Sequence, residues 1–283
     1  MSVRVVVDSA TDVSPEEAER FGIEIVPLVI RIGNEEFRDL ELSQEEFWAK
    51  VEAAGGRVGT STPSAGVFTE VFRSIVESGD EVVCLCLSSK LSGTYETAWA
   101  AAEQFGDAVA VIDSELISHA IRHIAVEAAK LASSGAGRDE VIGLIEDLKE
   151  RTSAFLMLDT LDYIQRGGRI AAVMPLLKRV SKAFSIKPIF EVREGRLELV
   201  AYVRSRKKAV RKLIDLLAEK GPFVRIGIYH SRAPEVASWA ADLLSQAVGI
   251  PREECDIREI GQVLDCHGGP GVIGAVGVRG KRD

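Results

Sequence analysis

The sequence predicts an α/β protein of two domains. In the first half, short apolar runs alternate with helical patterns, which is typical of a parallel sheet with helices on both faces. In the second half, a hairpin pattern stands beside two strand–helix units and predicts a mixed sheet. Since 283 residues are too many for one ordinary core, we expect an N-terminal α/β/α domain (residues 1–155) and a C-terminal mixed-sheet domain (residues 156–283).

The first predicted elements have clear boundaries. A valine-rich strand, 3–7, ends at Asp8-Ser9. Ser14 is the predicted N-cap of a short helix, and Pro15 occupies its first position, where a missing N–H costs nothing. Residues 23–32 read as one strand that is irregular or at a sheet edge, because it contains Pro27.

The rest of the first half repeats the strand–helix pattern. Ser43 and Glu46 form a capping box for a helix that runs to residue 53. Residues 55–64, "GGRVGTSTPS", read as a loop. The elements predicted after it are a helix at 65–78, a strand at 81–87, a helix at 93–105, a strand at 108–112, and helices at 118–133 and 138–151.

In the second half, "REG" at 193–195 separates two apolar runs and predicts a hairpin. Gly167-Gly168 is a plausible helix C-terminus. The predicted elements are a strand at 154–160, helices at 160–166 and 175–184, strands at 186–192 and 196–202, a basic helix at 205–219, a strand at 224–229, a helix at 234–248, and strands at 256–260 and 272–278.

Composition excludes several classes of function. The net charge of -8 argues against binding to nucleic acid, and no apolar run reaches the roughly 18 residues needed to span a bilayer. The N-terminus reads as a first strand and not as a secretion signal. The four cysteines lack metal-binding spacing, so we expect reduced thiols, no zinc and a cytoplasmic location.

Hydroxyl and carboxyl side chains follow the predicted strands. Asp8-Ser9, Ser88-Ser89 and Asp113-Ser114 stand at strand ends, and Thr60–Ser64 leads into a helix. In open α/β sheets, ligands bind beyond the carboxyl ends of strands, so these groups point to one cleft. Each of them alone is better explained as a helix or turn cap.

Familiar catalytic motifs do not fit. The region around Ser92-Gly93-Thr94 lacks the lysine of a phosphate-binding P-loop and the GxSxG of a serine hydrolase. Residues 269–274 match GxGxxG, but too few residues follow for a dinucleotide-binding unit. We expect these glycines to allow a tight turn.

Several histidines and cations remain as candidates. His119 and His123 have helical metal-ligand spacing without a third ligand, so structural roles are favoured. His267, directly before a glycine turn, is a candidate anion or proton contact. Arg169 could complement a helix dipole or bind phosphate. The run "RSRKKAVRK" at 204–212 is either a solvated face or a docking site for an acidic partner or a membrane.

Eight segments together resemble the DegV family of bacterial fatty-acid-binding proteins, and the resemblance covers nearly the whole chain. They are "VVDSATD" at 6–12, "TSTPS" at 60–64, "LSSKLSGTYETA" at 87–98, "VIDS" at 111–114, "TLDYIQRGGRI" at 160–170, "IKPIF" at 186–190, "VRSRKKA" at 203–209 and "HGGPGVIG" at 267–274.

The resemblance implies a two-domain fold with a long-chain fatty acid between the domains and no other cofactor. The protein would be a carrier without catalysis of its own. It would present the acid to an ATP-dependent fatty acid kinase, and the acyl-phosphate would enter phospholipid synthesis, with transient membrane contact. The implied carboxylate contacts are Thr60, Ser61, Ser92, Gly93, Thr94 and His267.

Two further residue sets follow from the resemblance. Arg169, Arg204 and Arg206 match positions for phosphate handling or kinase docking. The cleft lining would include Asp8, Ser9, Ser114, His119, Gly268 and Gly269.

The chain departs from the family pattern in three places. Thr62 replaces the usual Gln, the run 265–268 lacks the usual Thr residues around His267, and "ELISHAIRHIA" at 115–125 replaces a glycine-containing run. His119 or Arg122 could then line the cleft. These changes leave the chain-length preference open.

Two other functions are compatible with the residues. One is a hydrolase or phosphotransferase that uses Asp8, Asp113 and His267, although Ala10 occupies the middle position where aspartyl-phosphate enzymes have an acid. The other is a regulatory protein that senses a small acid. A co-purifying long-chain acid would favour the carrier, whereas turnover of an ester in an empty cleft would favour the enzyme.

Overall fold

The computed structural model describes residues 2–167 and 186–281. The chain forms two compact units. The first contains residues 1–150 and Gly261–Val263, and the second contains Arg151–Ile260 and the residues from Leu264 onward. The domain limits expected from the sequence, 1–155 and 156–283, stay a prediction. The predicted helix at 175–184 lies outside the described residues.

The N-terminal unit has a parallel sheet of four strands in the order β2–β1–β6–β7. Valine-rich β1 is central and almost entirely buried. The elements of this unit are β1 (Val3–Asp8), α1 (Pro15–Phe21), β2 (Ile23–Val26), β3 (Val29–Ile32), β4 (Glu35–Arg38), α2 (Gln44–Ala53), β5 (Val58–Ser61), α3 (Ala65–Glu77), β6 (Glu81–Cys86), α4 (Thr94–Ala102), β7 (Val109–Asp113), α5 (His119–Ser133) and α6 (Arg138–Arg151), whose last residue opens the second unit.

Helices pack on both faces of this sheet. On one face, Val6 and Cys84 join Phe68 and Phe72 of α3 in one core cluster. These phenylalanines are four apart, so they lie on the same side of the helix. On the other face, α5 contacts β1 and buries Ile121 among its core residues. The predicted parallel α/β/α unit is therefore confirmed.

A second, small sheet in this unit differs from the sequence-based prediction. The predicted strand at 23–32 is two strands in two sheets, β2 and β3, separated by Pro27, which has no N–H for a sheet ladder. Residues 58–61, predicted as loop, form β5. β5 pairs antiparallel with β3, which also pairs with β4.

The C-terminal unit is built on a mixed sheet of six strands in the order β10–β9–β8–β13–β11–β12. Only β11 and β12 are parallel, and the other neighbours are antiparallel. The predicted hairpin is β9–β10. The elements are β8 (Thr152–Met157), α7 (Asp162–Gly167), β9 (Lys187–Arg193), β10 (Arg196–Val203), α8 (Arg206–Ala218), β11 (Phe223–His230), α9 (Pro234–Val248), β12 (Cys255–Glu259), α10 (Gln262–Gly268) and β13 (Ile273–Arg279).

Two amphipathic helices form the core of this unit. α8 buries Val210, Leu213 and Leu217, whose spacing of three and four places them on one face. They pack with Ala237 and Leu244 of α9 and with apolar side chains of the sheet. The mixed-sheet α/β unit predicted for the second half is confirmed.

Candidate functional site

Asp8 holds two strand ends together in the N-terminal unit. Its completely buried carboxylate accepts hydrogen bonds from the backbone N–H groups of Ala10 at 2.9 Å and Leu87 at 2.7 Å. Burial raises the Asp8 pKa to about 7, although these two hydrogen bonds act in the opposite direction. Asp8 therefore has a structural task at the carboxyl edge of the sheet, and its cleft-lining role stays a prediction.

The serines at the strand ends also support loops. Ser9 Oγ accepts from Leu28 N at 3.0 Å, Ser88 Oγ from Lys90 N at 3.1 Å, and Ser114 Oγ from Leu116 N at 3.1 Å. The bonds of Ser88 and Ser114 reach two residues ahead and are the turn-capping role of hydroxyls, whereas the bond of Ser9 joins residues 19 positions apart. Ser9 and Ser114 remain predicted cleft residues, but these contacts assign them a local structural role.

His119 lies in a buried polar cluster around Asp12. Its Nε2 is 3.6 Å from Asp12 Oδ2, which also accepts a hydrogen bond from Ser118 Oγ. Asp12 Oδ1 accepts from Gly261 N at 3.0 Å. Burial raises the Asp12 pKa to about 7. This cluster holds residues 261–263 in the N-terminal unit.

The predicted head-group hydroxyls lie beside the N-termini of α3 and α4. Ser64 has the backbone angles of an N-cap for α3, yet its side chain makes no capping hydrogen bond. Gly93, at the N-cap of α4, has no side chain to do so. A Cβ on Gly93 would lie 3.7 Å from Thr62 Cγ2, so the two helix starts are neighbours. Neither N-cap residue therefore places its own side chain on the positive end of its helix, and such helix ends favour anions.

Ser92 and Thr94 form a hydroxyl pair at the start of α4. Their oxygens are 2.9 Å apart, and Ser92 Oγ also accepts from Thr94 N at 3.3 Å. Thr94 is buried, whereas Ser92 is half-buried and Gly93 is exposed. Each hydroxyl has one proton and two lone pairs, so the pair can still donate one proton to an anion.

Thr60 and Ser61 are held by the small antiparallel sheet. Thr60 pairs with Ile30 and Ser61 with Val29, and both side chains are half-buried. The sheet therefore fixes the backbone that leads through Thr62 to α3. Thr60, Ser61, Ser92, Gly93 and Thr94 all belong to the N-terminal unit, whereas His267 belongs to the C-terminal one.

His267 is half-buried in the last turn of α10, and Gly268 and Gly269 after it are buried. Gly269 N donates to Asp265 O at 2.9 Å, and the φ of Gly269 is +70°. A Cβ there would lie 2.3 Å from the ring of Tyr163. Only glycine fits this close packing and left-handed backbone, as the sequence indicated.

The three predicted arginines differ in placement. Arg169 lies outside the described residues. Arg204 is exposed just before α8. Arg206, the first residue of α8, is 3.8 Å from Asp159 Oδ1 through Nε, and its Nη2 donates to Gly271 O at 3.4 Å. Arg206 thus has an internal partner in the C-terminal unit.

Sequence reasoning missed several residues of these clusters. Asp39, which is 4% exposed, carries a pKa raised to about 6 by burial and lies close enough to Asp8 and Asp12 to raise theirs. Asp159 and Lys187 form an ion pair of 3.1 Å. Lys187 lies in "IKPIF", one of the segments that resemble the family pattern, but its partner Asp159 is 28 positions away in the chain.

Within the described ranges 2–167 and 186–281, no three His, Cys, Asp or Glu side chains are arranged to hold a metal ion. In that same part of the chain, no helix combines the length and apolarity needed to cross a membrane. The donors of the candidate site are hydroxyls and the backbone N–H groups of helix N-termini, and both are suited to binding an anion.

The fold defines an α/β protein of two units, one with a parallel sheet and one with a mixed sheet. A family model described as "Uncharacterised protein, DegV family" matches residues 2–279. A DegV domain-containing protein of Streptomyces coelicolor is 36% identical over 279 residues, which cover 97% of each chain. The chain belongs to the DegV family.

Solved structures of DegV family proteins share the fold. One from Thermus thermophilus, described by its fatty acid binding, has a TM-score of 0.86 and 29% identity, with 98% of this chain and 99% of that chain covered. A fatty acid binding DegV of Bacillus subtilis has a TM-score of 0.85 and 29% identity, with 98% of each chain covered. A DegV family protein of Eubacterium eligens, loaded with heptadecanoic acid, has a TM-score of 0.84 and 26% identity, covering 99% of this chain and 100% of that chain.

Proposed function

We propose that this protein binds a long-chain fatty acid and serves as a carrier without catalysis of its own. The observation that carries the proposal is the pair of neighbouring helix N-termini, α3 and α4, whose N-cap residues, Ser64 and Gly93, make no side-chain capping hydrogen bond. A carboxylate bound there gains open N–H groups and two positive helix ends. The fatty acids bound by solved relatives support this choice of anion.

Uncharged donors suit a buried head group. A carboxylate next to an apolar tail is costly unless several donors satisfy it. We assign this task to Thr60, Ser61, Ser92 and Thr94, with the Gly93 backbone beside them and His267 as a donor from the C-terminal unit. Each CH₂ of the tail adds about 0.8 kcal/mol on burial, so the tail provides most of the affinity and the head group fixes orientation.

Presentation to an ATP-dependent fatty acid kinase is the second part of the proposal. The first turn of α8 contains Arg206, Lys207 and Lys208 and no acid, although the helix dipole disfavours cations there. With Arg204 before them, these residues are suited to an acidic partner, and Arg169 is proposed for phosphate handling or kinase docking. The acyl-phosphate would then enter phospholipid synthesis in the cytoplasm, with transient membrane contact.

Mass spectrometry of the protein as purified tests the carrier role directly. A co-purifying long-chain acid in about one copy per chain is the expected result. An empty protein that hydrolyses acyl or phosphoryl esters would instead establish the enzyme alternative, in which Asp8, Asp113 and His267 do chemistry. An empty and inactive protein that fails to take up added fatty acid would contradict both.

Replacing Ser92 tests the head-group assignment. Ser92→Ala removes one hydroxyl of the Ser92–Thr94 pair, and we expect acid binding to weaken by about 1–2 kcal/mol, roughly 5- to 30-fold in Kd. The matched control is Ser78→Ala, which removes a hydroxyl at the opposite end of α3, where it bonds Ile75 O at 2.6 Å. Titration calorimetry with oleate measures both. Equal affinity of the Ser92 variant and the wild type would remove Ser92 from the site.

A further inference from the structure

Charged and glycine-rich segments of the C-terminal unit lie together at the edge of the six-stranded sheet where five of its strands begin or end. The strand pairings place the end of β8 beside the start of β13, the start of β9 beside the end of β10, and the end of β11 beside the start of β13. Because β8 also pairs with the start of β9, all five strand termini lie at the same edge. The residues at these termini are Met157, Lys187, Val203, His230 and Ile273.

The turn at 269–271, which directly follows α10, is packed at this edge. Gly271 N donates to Ser231 O at 2.8 Å, just beyond β11. The φ of Gly271 is +87°, and a Cβ there would lie 2.8 Å from Asp159 Cβ. The turn thus rests on the segment that follows β8.

Arg206 connects this turn to the ion pair between Asp159 and Lys187. Its Nη2 donates to Gly271 O at 3.4 Å, and its Nε lies 3.8 Å from Asp159 Oδ1. Lys187 Nζ lies 3.1 Å from the same carboxylate oxygen and donates to Asp159 O at 2.6 Å. Asp159 is thereby held between two cations, and Arg206 is held between Asp159 and the turn.

The charge arrangement explains why a cation is stable at this position. Arg206 is the first residue of α8, where the positive end of the helix disfavours it. The Asp159 carboxylate offsets both the helix end and the guanidinium. The planar guanidinium of Arg206 directs Nε toward Asp159 and Nη2 toward Gly271 O, so one side chain reaches two separate segments of the chain.

We propose that Arg206, paired with the Asp159 carboxylate that Lys187 also contacts, is a positioning residue that fixes the Gly269–Gly271 turn and thereby the His267 imidazole. This inference rests on the proposed function, in which His267 donates to the acid head group. It gives Arg206 a task inside the protein, distinct from kinase docking. Arg204 and Lys207, by contrast, are exposed.

The test compares Arg206→Gln with Lys207→Gln. Both variants lose one positive charge in the same helical turn, but only Arg206 contacts Gly271 and Asp159. We expect Arg206→Gln to shift the NMR signal and the titration of His267 and to weaken oleate binding roughly three- to tenfold. Lys207→Gln should match the wild type in both readouts. The His267 signal is assigned by comparison with His267→Gln, since the chain has four histidines.

Two more variants separate positioning from general stability. Arg206→Lys keeps the charge and should recover part of the His267 signal, whereas Asp159→Asn should reproduce the effect of Arg206→Gln. Wild-type affinity and an unshifted His267 titration in Arg206→Gln would overturn the inference. A lowered Tm with unchanged His267 titration would also overturn it, because that is the outcome of a purely structural ion pair.

Failure of the proposed function would look different. If the wild-type protein bound no fatty acid, the carrier proposal would fall. The titration of His267 in the unliganded protein would still show whether Arg206 and Asp159 position it.

Discussion

Three buried carboxylates distinguish the N-terminal unit at the scale of single residues. Asp8, Asp12 and Asp39 are buried, and burial is the largest cause of the raised pKa of each. Asp39 adds to the effect on the other two through charge repulsion. Buried carboxylates of this kind make the folded state favour protons that the unfolded state releases.

Asp39→Asn tests this proton linkage. The folded Asp39 pKa is about 6, above its unfolded value near 3.9, so the folded state binds more protons between these values. The free energy of unfolding therefore falls as pH rises through this window, and the loss persists above it. Asparagine carries no charge and can still accept from Leu40 N through Oδ1, as Asp39 does. We expect the variant to be about 1–3 kcal/mol more stable at pH 8 and nearly unchanged at pH 4.

Urea denaturation at both pH values measures the difference. Asp80→Asn is the control, because hydrogen bonds from Ser2 lower the Asp80 pKa, the opposite direction from Asp39. The free energy of unfolding of Asp80→Asn should not exceed that of the wild type at pH 8. Destabilisation of Asp39→Asn at pH 8 would show that Asp39 is needed as a charged acceptor.

Helix capping differs between elements in a way that bears on function. Ser43 and Ser64 both occupy N-cap positions with extended backbone angles. Ser43 accepts from Glu46 N and completes a capping box, whereas the Ser64 side chain makes no such bond. Most helices satisfy their first N–H groups with a cap. The missing side-chain cap of α3 agrees with the proposed binding of an anion at this helix start.

Paired substitutions measure this difference. Ser43→Ala should lower the free energy of unfolding by about 1 kcal/mol, because it removes a formed capping bond. Ser64→Ala should cost only a few tenths of a kcal/mol in the unliganded protein, since no side-chain bond is lost. Chemical denaturation of delipidated protein measures both. Equal costs for the two variants would argue that Ser64 caps α3 in solution.

Element boundaries were predictable where local chemistry set them. The predicted N-cap at Ser14 and the predicted capping box at Ser43 fixed two helix starts, and both helices begin as expected. The small sheet of β3, β4 and β5 was not predictable, because its strands have only four residues each and gain stability from non-local pairing. Residues 58–61 read as loop for that reason.

At the scale of the whole molecule, charge is distributed unevenly. The chain carries a net charge of -8, yet cations cluster around the start of α8. Arg204, Lys207 and Lys208 are exposed there. A local positive patch on an acidic protein steers an acidic partner and mainly affects the rate of association.

Charge reversal at Arg204 tests kinase docking without disturbing Arg206. Arg204→Glu should slow acyl-phosphate formation by the kinase roughly three- to tenfold and leave oleate affinity intact, since like charges would then meet at the interface. Arg196→Glu is the matched control. Arg196 is exposed at the start of β10, whereas Arg204 directly follows the end of that strand. Phosphorylation assays at low and high salt measure both. An unchanged rate for the Arg204 variant would exclude it from docking.

The sequence by itself determined the fold class, most helix limits and the need for glycine after His267, because apolar period, capping residues and positive-φ turns are local properties. It also gave the candidate hydroxyls at 60–61 and 92–94. Only the tertiary structure decided which residues of the candidate sites are neighbours: Asp12 with His119, Gly93 with Thr62, and Arg206 with Asp159. These pairs join residues far apart in the chain, and their burial and contacts arise only when the strands assemble.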